Sequence, residues 1–77
     1  MVRITHIEPH NDFSIKLTFS DGMEKNVDFK PFIGPDNFSS QLADFPYFSK
    51  VKIYENGRGI YWPNEFDFCP DYLHDFV

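Results

Sequence analysis

With 77 residues the chain has the length of one domain, and a domain this small buries only about 60% of the surface its unfolded chain exposes, so a large core is excluded. Its 12 acidic and 7 basic residues leave a net charge of −5, which repels phosphate and argues against direct nucleic-acid binding. One cysteine rules out an internal disulfide and fits a reducing compartment, and the N-terminal stretch has no apolar run of signal or membrane-spanning length, so the cytoplasm is the expected location.

Val2 to Glu8 reads as a first strand. Ile4 and Ile7 both point inward only if a bulge falls between them, and Pro9, lacking an amide donor, should end the pairing. Phe13, Ile15, Leu17 and Phe19 then alternate with polar residues, the period of a strand with one buried face. A three-residue loop, Ser20-Asp21-Gly22, pairs Phe19 with Met23, Ile15 with Val27 and Phe13 with Phe29. Leu17 opposite Lys25 is the single mixed pair. A two-residue loop would set core against water, and Gly22 can take the left-handed position that the longer loop requires. These three strands form a meander.

Lys30 to Pro35 is a loop with one helical turn, entered at Pro31 and ended at Gly34-Pro35. Asp36 or Asn37 is placed to cap a short helix carrying Phe38, Leu42 and Phe45 on one face. Phe45-Pro46 should end it, because a residue before proline is pushed out of helical geometry, and Tyr47 to Ser49 should turn. Val51 to Trp62 is a second hairpin around Asn56-Gly57, pairing Val51 with Trp62, Ile53 with Ile60, Lys52 with Tyr61 and Tyr54 with Gly59. Trp62 to Glu65 leaves the sheet, Phe66 to Phe68 is extended, and Pro70-Asp71 opens a last helix with Leu73, Phe76 and Val77 on its apolar side. The expected fold is α+β: a small antiparallel sheet, made of the meander plus the second hairpin, packed with short helices in one domain over residues 1–77.

F-S-D-G at Phe19 to Gly22, V-D-F at Val27 to Phe29, W-P-N at Trp62 to Asn64 and P-D-Y-L at Pro70 to Leu73, in that order, resemble a bacterial family of small domains of unknown function, DUF 2442. The resemblance implies an α+β fold and supplies no catalytic residues. It also implies a gene neighbour encoding another small protein, a toxin–antitoxin-like arrangement. Some relatives carry a helix-turn-helix after the P-D-Y-L segment, a part this chain is expected to lack. The family commonly has glycine after W-P-N, where this chain has Glu65.

No residue set here has the spacing of a reactive centre. His6, His10 and His74 lack the companions that a zinc site needs. Cys69 with His74 could act as nucleophile and base, but a buried structural cysteine beside Pro70 is the plainer expectation. Glu65, Asp67, Asp71 and Asp75 match no calcium-loop pattern and read as solvated acids. No metal, cofactor or catalytic residue is therefore expected. Tyrosine and tryptophan are enriched at binding hot spots, which makes Tyr54, Tyr61, Trp62, Asp67, Asp71 and Tyr72 the candidate partner-binding set. Core packing is the favoured role for Trp62 within that set. The expected function is a non-catalytic protein-binding module acting with an adjacent-gene product or by self-association, without membrane or direct nucleic-acid contact. The alternatives are a DNA-linked accessory domain lacking its own reading head, and a small enzyme using Cys69 or the acids.

Overall fold

The computed structural model describes residues 2–36 and 39–75. Two three-stranded antiparallel sheets carry the fold, each a meander. The first is β1 (Ile4–Pro9), β2 (Ser14–Phe19) and β3 (Glu24–Asp28). The second is β4 (Lys52–Ile53), β5 (Ile60–Tyr61) and β6 (Asp67–Phe68). Between them run 3-10 turns at Lys30–Phe32 and Ser39–Ala43 and a one-turn helix, α1 (Phe45–Phe48). The described chain closes with α2 (Pro70–Asp75).

The β2–β3 register is the one the three-residue loop dictates. Ile15 faces Val27 and Leu17 faces Lys25. The Phe19 amide donates to the Met23 carbonyl at 2.8 Å, and the Gly22 amide returns to the Phe19 carbonyl at 3.0 Å. Gly22 has φ +90°, a conformation that costs glycine little and other residues more. The bulge in β1 falls between Ile4 and His6, which buries Ile4 fully and Ile7 in part. Pro9 still pairs with Ile15, as the last residue of its strand.

The second hairpin also keeps its expected register, with Lys52 opposite Tyr61 and Ile53 opposite Ile60. Asn56 (φ +64°) and Gly57 (φ +72°) both adopt the left-handed turn conformation. A third strand joins where a bare hairpin is expected. Phe66 to Phe68 folds back so that Phe68 pairs with Ile60 and Asp67 with Tyr61. Gly59 makes this possible: a Cβ there would lie 2.4 Å from the Phe68 carbonyl oxygen.

The middle of the chain departs from the expected helix. Ser39–Ala43 is 3-10, held at its start by Asp36, which accepts from the Ser39 amide at 2.8 Å and the Ser39 hydroxyl at 2.6 Å. Asn37 and Phe38 lie outside the described residues, as do Phe76 and Val77. Phe45-Pro46 does not stop a helix but begins one. Proline sits in the first turn of α1, where its missing amide is no loss, and Phe45 points its ring inward at Phe13 and Phe48.

One core cluster draws on both sheets, α1 and α2, and its largest members are aromatic rings. Phe29 is fully buried, with ring centroids of Phe68, Phe32, Trp62 and Phe48 at 5.3, 5.5, 5.9 and 6.2 Å. Trp62 is also fully buried and donates its indole N–H to the Phe48 carbonyl at 2.9 Å, so its one polar atom is satisfied. Large rings give this short chain the buried apolar area that its length would otherwise deny it.

Candidate functional site

The outward face of the second sheet follows from strand alternation. Ile53, Ile60 and Phe68 form a row toward the core, which leaves Lys52, Tyr61 and Asp67 as the row on the opposite face. Tyr54 continues that face from the strand end, its amide donating to the Gly59 carbonyl at 2.9 Å. The Tyr54 and Tyr61 rings stack with centroids 4.4 Å apart and planes 22° from parallel. The Tyr54 hydroxyl donates to the Asp67 carboxylate at 2.7 Å, and that bond holds the phenol above its ordinary pKa of 10.0. Both tyrosines are half-buried, and Lys52 and Asp67 are exposed. A cleft of about 500 Å³ opens at the hairpin tip beside them, lined by Tyr54, Glu55, Asn56 and Arg58.

Of the six residues singled out in the sequence, Tyr54, Tyr61 and Asp67 meet on this face. Trp62 does not, because it is core. Asp71 and Tyr72 are exposed on α2. Tyr72 stacks on Phe68 at 6.3 Å, and Phe68 belongs to the core-facing row, so this aromatic surface is separate from the tyrosine pair.

Cys69 is exposed, which corrects the expectation of a buried cysteine. Its neighbour Pro70 takes the buried position instead. His74 offers Cys69 no free nitrogen: Nε2 meets Asp21 at 2.9 Å and Nδ1 meets Asp75 at 3.4 Å. Those two carboxylates raise the imidazole's pKa above 6.5, and the Met23 amide and His74 lower that of Asp21 below 3.8. The ring also packs edge-on against Phe19 at 4.9 Å, and Lys25 donates to the His74 carbonyl at 2.9 Å. His74 is thus a clasp between α2 and the first hairpin. His10 pairs with Glu8 at 3.3 Å. Among the described residues no group of three or more His, Cys, Asp or Glu side chains is arranged to hold a metal ion. Among them, too, no helix is long and apolar enough to cross a membrane.

The W-P-N segment is a structural joint. The Asn64 amide donates to the Tyr47 hydroxyl at 2.9 Å, and the Asn64 side-chain oxygen accepts from the Phe66 amide at 3.1 Å. The Trp62 amide donates to the Phe66 carbonyl at 2.9 Å, and Glu65, at φ +71°, donates its amide to the Trp62 carbonyl at 2.8 Å. The position that resembles a glycine site therefore needs the geometry glycine supplies.

These features define a small α+β domain of two three-stranded meanders sharing one aromatic core. The chain belongs to the family described as "Protein of unknown function (DUF2442)", whose model matches residues 4–76. No curated protein and no solved structure matches it.

Proposed function

We propose that this chain is a non-catalytic protein-binding module that contacts its partner through the Tyr54–Tyr61 face of the second sheet. The observation that carries the reading is the stacked tyrosine pair, held in one geometry by Asp67 on an otherwise polar face. Rigid aromatic side chains lose little entropy on contact, and Tyr54 and Tyr61 present both apolar faces and hydroxyls. Lys52 and Asp67 beside them supply charges of opposite sign that orient a partner and limit its choice. The partner is the product of an adjacent gene, in a toxin–antitoxin-like pair, or a second copy of the chain.

Co-expression with the adjacent-gene product, followed by titration calorimetry of the purified pair, tests this. A complex is expected, and Tyr54→Ala with Tyr61→Ala should weaken it about 10- to 100-fold, the size of a small hot spot. Circular dichroism of the double variant should stay native. Absence of both that complex and self-association overturns the reading, as does a complex indifferent to both tyrosines.

A further inference from the structure

Arg58 is exposed and lies in the chain between two glycines, Gly57 and Gly59, whose backbones closely approach other strands. On one side, a Cβ at Gly57 would lie 2.6 Å from the Ile4 carbonyl oxygen and 3.0 Å from the Arg3 Cβ, so the turn presses directly on the start of β1. On the other side, Gly59 is pressed against the Phe68 carbonyl at the end of β6. These two contacts bring Arg3, Arg58 and the segment Cys69 to Asp71 around one cleft of about 510 Å³. They come from three parts of the chain that nothing in the sequence joins.

We propose that this cleft is a carboxylate-binding site, with Arg3 and Arg58 as the paired guanidinium donors and Asp71 on the rim setting its selectivity. Neither arginine makes an ion pair among the described residues. Three of the five lysines are engaged, Lys16 with Glu24, Lys25 with the His74 carbonyl and Lys50 over the Tyr47 ring, while Lys30 and Lys52, like the arginines, make no ion pair among the described residues. A guanidinium presents a planar fork of N–H donors that matches a carboxylate's two oxygens. Two arginines and one aspartate leave the cleft one positive charge, which suits a monoanion better than a phosphate dianion. The carboxylate comes from an acidic peptide side chain or from a small free acid. Arg58 also lines the cleft beside the tyrosine pair, but Arg3, Cys69 and Asp71 do not, so the alkylation test below reads this cleft alone.

The lone cysteine of the chain lies in the cleft wall and reports on it. Alkylation of Cys69 is timed with iodoacetate, an anion, and with iodoacetamide, its neutral counterpart; the ratio of the two rates cancels changes in the thiol itself. The ratio should fall about 3- to 10-fold in Arg3→Gln/Arg58→Gln, and high salt should shrink the wild-type ratio. Both arginines are exposed, so the double variant should keep its circular dichroism spectrum. A short blocked glutamate peptide, its glutamine counterpart, acetate and inorganic phosphate are then tested for protection of Cys69 from iodoacetamide and for shifts of the Arg3 and Arg58 amide resonances. Protection by the glutamate peptide or by acetate, lost in the double variant, supports the site, and the stronger of the two names the source. An unchanged rate ratio, protection by glutamine equal to glutamate, or strongest protection by phosphate overturns it.

Discussion

Replacing Glu65 by glycine should stabilise the protein although it removes a side chain and adds no contact. Glu65 is exposed and sits at φ +71° in the turn joining β5 to β6. The turn cannot relax away from that angle. The Glu65 amide is committed to the Trp62 carbonyl, the Phe66 amide to Asn64, and the Trp62 amide to the Phe66 carbonyl. A left-handed conformation costs a residue with a Cβ about 1–2 kcal/mol. Glycine relieves that, and gives back about 0.5–1 kcal/mol through the greater freedom of its unfolded chain. The net gain is about 0.5–1 kcal/mol, which for a domain this short raises Tm by about 3–6 °C. Glu65→Ala is the control, since it removes the same charge and keeps the strain, and it should change little. Urea denaturation of the three proteins, with unchanged m-values, reads the difference as a shift in midpoint. A glycine variant no more stable than the alanine variant would refute the strain argument.

Gly22→Val places a β-branched residue at φ +90° and should cost about 1–2 kcal/mol by urea denaturation, although open space surrounds the new side chain. Trp62→Phe should cost about 1–2 kcal/mol, from lost volume and the lost indole bond to Phe48, whose carbonyl keeps a 3.3 Å bond from the Val51 amide; circular dichroism replaces the missing tryptophan signal. The His74–Asp21 clasp should make stability depend on pH. His74 has a raised folded pKa, so its contribution is full below 6.5 and is lost as pH rises through the folded value; Asp21 has a lowered one, so its contribution is present above 3.8 and is lost as pH falls. The clasp is therefore strongest between those limits, and Asp21→Asn should bring the His74 titration, followed by NMR, back toward its ordinary midpoint.

What could be read in the chain is what neighbouring residues decide among themselves. Alternation from Phe13 to Phe19, with the glycine and the count of residues after it, leaves one loop length that keeps apolar partners on one face. The same reasoning at Asn56-Gly57 sets the second register and puts Tyr54 and Tyr61 on one face of the hairpin, opposite Ile53 and Ile60, without deciding whether helices cover that face. Both results need only the period of a strand and the sterics of a left-handed turn. Phe66 to Phe68 is too short to show a period, and its place as a third strand depends on Gly59 admitting the Phe68 carbonyl. Phe45-Pro46 has a local preference to end a helix and a local tolerance for starting one; packing of Phe45 on Phe13 and Phe48 selects the second.

The sequence by itself therefore determined the two hairpins and their registers, and it favoured core packing for Trp62 while still counting it in the candidate binding set. The tertiary structure alone decided that Cys69 is exposed, that His74 closes on Asp21 from 53 residues away, and that Arg3 and Arg58 share a cleft. The physical reason is one of range: a turn's energy is set within a few residues, whereas those meetings depend on how closely one backbone can approach another, which no local pattern records.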